Sequence, residues 1–395
     1  MTLIHNKWLP LIAGGLMIGT VSTTQAADGV SLAGGGLKVT ADGFSFKING
    51  RAQFDALSVL DDDDNHARSE HISSGTDIRR AYISFKGNAG KDWKYKFQYD
   101  FAGQVMKETY VAYTGISNSD VLIGAFSPAM FLTSYSSSKW ATFIERSIVD
   151  NFALDYEQGI GFNTHGNNYS LYTSITADHP DNDEVDDANG DPEDDQYSVA
   201  ARINFAPMHE QGNVLHFGAT IAIEDVDGST TFGARPASKV DGGQKLISGG
   251  VADSSEVTIL GVEAAAVMGP FSIQSEYVSA KIDARTGSDA DYSAFYVLGS
   301  FFITGESRSY YVDGGVFDRP TIGSSGAWEV AAKIEVMDLS DTDDGELTNA
   351  VLALNYYANK NVRFGLNYIQ SSFDADTGGT DRDVDLLQLR TQFVF

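Results

Sequence analysis

The chain has no cysteine, which removes disulfide staples, thiolate metal sites and thiol nucleophiles together. It has few basic residues: 27 lysines and arginines stand against 54 aspartates and glutamates, a formal charge of -27. That balance argues against general affinity for nucleic acid or for anionic membrane surfaces. Beyond the N-terminus there is no apolar run of the roughly 18 residues that a transmembrane helix requires. Runs of helical period are equally scarce. Catalytic signatures are absent too, with neither a Gly-x-Ser-x-Gly elbow nor a Gly-x-x-x-x-Gly-Lys loop. His66 and His71 share a loop without metal-ligand spacing, and His165, His179, His209 and His216 are scattered over different connections and strands. These absences favour a protein that is not an enzyme and holds no cofactor or metal. A hydrolase assembled from several strands or a purely structural barrel would be told apart by activity on esters or by absence of conductance.

What the chain does have is alternation. Over its last stretch Leu387, Leu389, Thr391, Phe393 and Phe395 fall on one side of a period of two, and Gln388, Arg390 and Gln392 on the other. The same rhythm sets Phe44, Phe46, Ile48, Ala52 and Phe54 against Ser45, Lys47, Asn49, Arg51, Gln53 and Asp55. Arg80, Tyr82, Ser84 and Lys86 alternate with Ala81, Ile83 and Phe85, and Trp93, Tyr95, Phe97, Tyr99 and Phe101 form one aromatic row. A sheet that is greasy outward, wet inward and closed on itself is what a bilayer permits. The expected fold is therefore all-β: a transmembrane antiparallel β-barrel of about 16 strands. Lys7, the apolar run Trp8 to Ile18 and Thr24-Gln25-Ala26 read as a cleaved export signal over residues 1–26. Residues 27–395 then form a single barrel domain in the outer membrane of a Gram-negative bacterium.

Short turns such as His165 to Asn168 and Met268-Gly269-Pro270 alternate with long polar loops, among them Asp178 to Asp195 and Asp225 to Ser255. Between Thr304 and Ser325 the alternation lapses, and a long periplasmic turn and an irregular strand fit equally well. Ser127 to Gln158 is too long for an ordinary connection and too apolar for disorder, carrying Met130, Phe131, Leu132, Trp140, Phe143 and Ile144. Such a loop buries itself in the lumen.

Several strings resemble the phosphate-selective porins O and P, in order and spacing: Arg79-Arg80-Ala81-Tyr82, Lys91-Asp92-Trp93-Lys94-Tyr95, Ser137-Ser138-Lys139-Trp140, Glu145-Arg146, Gly326-Ala327-Trp328-Glu329 and Asn355-Tyr356-Tyr357-Ala358-Asn359. The resemblance implies a sixteen-stranded, trimeric outer-membrane porin with an inward third loop, passing inorganic phosphate or other small anions by diffusion. It places the anion site at Arg79, Arg80, Ser137 and Arg146, with Lys139 and Arg51 along the route. The expected partners are such anions, outer-membrane lipid, lipopolysaccharide and two further copies of the chain, with no nucleic acid. The chain departs from the family in carrying Ser134 where phosphate-specific members have a second loop lysine, and in having Arg235 nearly alone in Asp225 to Ser255. A general or cation-preferring diffusion pore is therefore the alternative.

Each residue also has a plainer reading. Arg80 fits a lumen charge paired with an acid across the barrel, and Arg146 an ion pair with Glu145. Strict alternation puts Arg79 on the lipid side, where a charge at midplane costs roughly 2 to 4 kcal/mol. A bulge, a rim position or a subunit contact would resolve this. Asp100 and Glu108 are candidates to moderate the site so that it releases its ligand. Asp187, Asn189 and Asp191 have calcium-loop spacing, but Gly190 is misplaced and no closing glutamate follows, so a solvated loop is the simpler reading. Lys47, Arg51, Arg80, Lys86, Lys94 and Lys96 lie on lumen faces while the acids concentrate in loops, which points to a basic constriction below an acidic mouth. Fractionation should recover the mature protein in the outer membrane with a β-rich circular dichroism spectrum; a soluble, helix-rich periplasmic product would contradict the alternation argument.

Overall fold

The computed structural model describes residues 29–33, 36–63, 72–177, 196–240, 244–376 and 379–395. The expected leader at 1–26, His66, His71, His179 and the acidic segment with Asp187, Asn189 and Asp191 lie outside these residues. Among the described residues the barrel is built of sixteen strands. The first eight are β1 (Phe44–Asp62), β2 (Gly75–Ala89), β3 (Trp93–Asp100), β4 (Val105–Ile116), β5 (Ser119–Phe126), β6 (Glu157–His165), β7 (Tyr169–Ala177) and β8 (Tyr197–Glu210). The second eight are β9 (Asn213–Ala234), β10 (Ile247–Met268), β11 (Phe271–Ala284), β12 (Ala290–Phe302), β13 (Ala327–Asp338), β14 (Glu346–Tyr357), β15 (Val362–Asp374) and β16 (Arg382–Val394).

Each strand pairs antiparallel with its sequence neighbours, and β16 returns to β1 from Val384↔Asp62 to Val394↔Arg51. That last ladder removes the open edges, so backbone donors and acceptors at membrane depth find strand partners. On β16, Gln388, Arg390 and Gln392 are buried in the lumen whereas Leu389 and Phe393 are half exposed to lipid. At the periplasmic end of the seam Gly50 exchanges two backbone hydrogen bonds with Phe395, at 3.0 and 3.1 Å. A Cβ on Gly50 would stand 2.4 Å from the Tyr82 carbonyl and 2.6 Å from the Phe395 ring, so only glycine lets the terminus dock there. A hairpin of Gly29–Ala33 and Gly36–Ala41 continues the sheet below it, paired to β1 from Leu37↔Ile48 to Ala41↔Phe44. On the outer face of β1 to β4, Phe46 stacks on Phe85 (5.6 Å) and Trp93 meets Tyr113 (5.1 Å), part of an aromatic girdle.

The wall is lopsided. β3 and β5 have 8 residues each, whereas β9 and β10 have 22. The stretch expected as a polar loop, Asp225 to Ser255, is thus mostly strand, paired through Gly228↔Ser254 and Ala234↔Ile247 with two register shifts. Among the described residues of this stretch only 235–240 and 244–246 lie outside the strands. Asp225, Asp227, Ser229 and Thr231, which suggest a loop, are exposed on the strand, while Val226, Ala234, Ile247 and Val251 are buried inward. The lapse at 304–325 is a long periplasmic turn, with a small hairpin of Ser309–Tyr311 and Val316–Asp318. It bends into the lumen: Arg202 donates to the Gly315 carbonyl (2.8 Å), Tyr172 to that of Asp313 (2.7 Å), and Arg308 pairs with Glu329 (2.8 Å).

The core sits inside the barrel, against β9 to β16. There Val257, Ile259, Ile282, Tyr296, Leu347 and Leu386 pack against Met130, Phe131, Ile148, Val149 and Phe152 of the segment between β5 and β6. Inward positions are therefore not uniformly polar: Val384 and Leu386 face the lumen because protein, not water, fills that half. Replacing Gly50 with valine should block closure of the seam, at a cost of about 1 to 3 kcal/mol or more; loss of the compact, heat-modifiable band in gel electrophoresis checks this.

Candidate functional site: an off-centre basic channel

The segment between β5 and β6 is held across the lumen by side chains of the wall. The Leu132 N–H donates to Glu263 (2.8 Å) and Glu276 (2.7 Å), Thr133 N–H to Glu276 (2.8 Å), and Ile148 N–H to Glu335 (2.9 Å). In the opposite sense Arg363 donates to the carbonyls of Ala141 (2.6 Å) and Thr142 (2.7 Å), and Gln392 to that of Lys139 (3.0 Å). The loop thereby closes the β9–β16 half and leaves a cavity of about 1200 Å³ against β1 to β7. Ten basic residues line it (Arg51, Arg79, Arg80, Lys94, Lys96, Lys107, Lys139, Arg146, Arg235 and Lys239) against six acids (Asp100, Glu108, Asp120, Asp150, Asp155 and Asp313). The excess of positive charge sits inside a chain whose total is -27.

Arg79 and Arg80 both face inward because β2 is bulged between them and Ile78. Gln53 pairs with Arg80 and Phe54 with Ile78, so Arg79 is an extra residue in the ladder. Of the three ways to keep Arg79 out of lipid, the strand uses the bulge. Its guanidinium grips Glu145 with two hydrogen bonds (2.9 and 3.1 Å). Arg390 reaches the same carboxylate at 2.7 Å while also holding Asp55, and Arg80 lies at 3.9 Å from it with a bond to Gln53 (3.0 Å). Burial opposes ionisation of Glu145, but Arg79, Arg390 and Arg80 together hold its carboxyl well below the usual range. Arg146 does not pair with its neighbour Glu145; it contacts Asp150 (3.4 Å) and the Ser136 carbonyl (3.1 Å).

Further along, Arg51 donates to Ser138 Oγ (2.8 Å) and lies over the Tyr82 ring at 4.0 Å. Ser137 lines the cavity, but the serine that touches an arginine is Ser138. Lys139 forms no ion pair among the described residues, and its pKa is brought down to about 8 by burial first, then by Arg51 and Lys86. Of the two moderating acids, Asp100 accepts the backbone N–H groups of Ala81 and Ala102, both at 3.1 Å, and Glu108 pairs with Lys96. Toward the periplasmic end Lys38, Lys47, Lys86 and Lys96 stand directly opposite one another on adjacent strands. Like charges in register destabilise a sheet, so this row is kept against a folding cost. Sequence reasoning missed Lys239, which residues 235–240 after β9 bring to the cavity; burial lowers its pKa, with Arg79 and Arg80 adding and Glu145 and Asp150 opposing. It also missed Lys107, whose partner ring, Tyr156, comes from the loop.

A closed sixteen-stranded barrel with an aqueous channel and a lipid-facing belt defines an outer-membrane porin. Residues 46–395 match the family described as "Phosphate-selective porin O and P". The chain is 33% identical to Porin O of Pseudomonas aeruginosa over 95% of its own length and 94% of that protein's. It belongs to that family. Solved structures of the same fold include the outer-membrane channel DcaP of Acinetobacter baumannii (TM-score 0.57, 13% identity, covering 89% of this chain and 98% of that one). Another is the anion-selective porin of Comamonas acidovorans (TM-score 0.57, 12% identity, 89% and 100% covered).

An ammonium is charged below its pKa, so raising the pH from 7 to 9 neutralises Lys139. The anion-to-cation permeability ratio should fall across that window, and Lys139→Arg should lessen the fall; measuring reversal potentials at several pH values checks both.

Proposed function

We propose that this porin passes phosphate and similar small anions by passive diffusion, and that Arg80, Arg146, Arg51 and Lys139 form the basic constriction that selects them, with Arg79 and Ser137 supporting it. The observation that carries this reading is the ten-to-six excess of basic over acidic groups around the channel of a strongly acidic chain. Arginine presents a planar fork of donors that matches an oxyanion, and each charge-assisted bond contributes about 1.5 to 3 kcal/mol. Glu108 beside Lys96 and Asp150 beside Arg146 temper the affinity, so that an anion that enters also leaves. The family match and the relation to Porin O support the same conclusion. One feature favours a weaker, general anion pore: Arg79 spends both arms of its fork on Glu145.

The working unit in this reading is a homotrimer, exported with removal of residues 1–26. Support for a trimer comes from the low wall of β3 to β5, with Trp93, Phe97, Val111 and Ile123 exposed on its outer face, and from the trimer form of OmpT of Vibrio cholerae among similar folds. Lipopolysaccharide would meet the polar upper parts of β9 to β11. Mass measurement in mild detergent should return three copies, and a strictly monomeric species would refute the trimer. Adding phosphate to a chloride current through single channels should block it, and Arg80→Ala and Arg146→Ala should each weaken the block by about tenfold, at 1.4 kcal/mol per decade. Chloride current without any phosphate block would leave only the general anion pore.

A further inference from the structure

The next inference rests on the anion-porin reading and concerns which anions suit the channel best. The arginines that would close around a bare oxyanion are largely committed. Arg79 is held by Glu145 at 2.9 and 3.1 Å, Arg146 by Asp150 and the Ser136 carbonyl at 3.4 and 3.1 Å, and Arg80 by Gln53 at 3.0 Å. Inorganic phosphate sheds water only where several donors converge on it without competitors.

Three other cations along the same passage, Arg51, Lys107 and Lys139, have no ion pair among the described residues, and they share a second property. Arg51 lies over Tyr82 at 4.0 Å, Lys107 over Tyr156 at 4.5 Å, and Lys139 near the Trp140 ring at 5.9 Å. Lys139 and Trp140 are chain neighbours, but the first two pairs join β1 to β2 and β4 to the inward loop, so they do not arise from local chain geometry. Tyr82, Arg146 and Arg51 all lie within electrostatic range of Tyr156, which sets the first two pairs on one stretch of channel. Each cation covers a face of its ring, and both Tyr82 and Tyr156 border the cavity, so each pair presents positive charge next to the rim of an aromatic ring. Water alone complements such a surface poorly, and a compact, fully hydrated anion uses only its charged part. An anion that carries its own flat ring uses both parts, its charged head on the cation and its ring against the tyrosine.

We propose that the Arg51–Tyr82 and Lys107–Tyr156 pairs form a subsite for organic anions in which a phosphate group is attached to an aromatic ring, and that the channel binds these more tightly than inorganic phosphate. Arg80 and Arg146 then act on every small anion alike, and the ring-backed cations add the preference for those that carry a ring.

Phenyl phosphate, inorganic phosphate and phenol are titrated in turn into the chloride current of the full-length mature protein in a planar bilayer. Phenyl phosphate should half-block at about fivefold lower concentration than inorganic phosphate, equivalent to about 1 kcal/mol at 1.4 kcal/mol per tenfold. Phenol, which lacks the charge, should not block. In Tyr82→Leu and Tyr156→Leu the ratio of the two half-blocking concentrations should fall toward one. Block by inorganic phosphate at equal or lower concentration than phenyl phosphate in the unaltered protein overturns the proposal while leaving the anion porin intact, and this comparison needs no variant to fold. A ratio that survives both substitutions overturns it as well. A cation-selective current blocked by neither anion overturns the proposal together with the reading on which it rests.

Discussion

The position of the channel depends on one buried carboxylate. Glu145, on the loop between β5 and β6, is gripped by Arg79 from the bulge in β2 and by Arg390 from β16. The two arginines reach it from either side of β1, across the seam where the barrel closes. Removing one partner of such a buried set costs about 3 to 5 kcal/mol, because the remaining charge is left without compensation. The clamp therefore fixes the later part of the loop, with Glu335 holding Ile148 just beyond it, while Glu263 and Glu276 fix the near end at Leu132 through its backbone N–H. With the loop pinned, its apolar residues fill the β9–β16 half, and water is left only the side of β1 to β7.

That arrangement separates the sign of the channel from the sign of the chain. Charges farther apart than a Debye length of about 8 Å at physiological salt are largely screened from each other. Asp61 and Asp62 stand at the end of β1, and Asp289 and Asp341 in the connections beside β12 and β13, outside the lining of the channel. In the function proposed here, an entering anion meets Arg51, Arg80, Lys107, Lys139 and Arg146 at close range and those outer acids only through electrolyte. The acids that do enter the channel are mostly in contact with a base or with backbone N–H groups, so they temper the field rather than reverse it.

Most of the barrel was legible because a bilayer enforces period two on every strand. Leu389 and Phe393 outward, with Gln388 and Arg390 inward, are as the alternation requires. Legibility failed where that constraint stops. Above the bilayer, water replaces lipid outside and packed protein replaces water inside, so Asp225 to Ser255 looks like a loop yet is largely strand. A bulge adds one residue without any mark in composition, which is why Arg79 conflicts with strict alternation while lying in the lumen. Of the site, the basic residues were legible as types at positions. Their partners were not, since Arg146 choosing Asp150 over Glu145, and Ser138 rather than Ser137 meeting Arg51, depend on the path of a loop. Lys239 gave no signal at all, because nothing in its own neighbourhood says that 235–240 turns inward.

The measurement that bears most directly on this account is the reversal potential of the reconstituted protein across a potassium chloride gradient at neutral pH. If the location of charge governs, the potential takes the sign of chloride permeation, and Arg51→Gln combined with Lys139→Gln moves it toward zero. A potential of potassium sign in the unaltered protein would mean that the acidic mouth dominates, and would contradict the account at its centre.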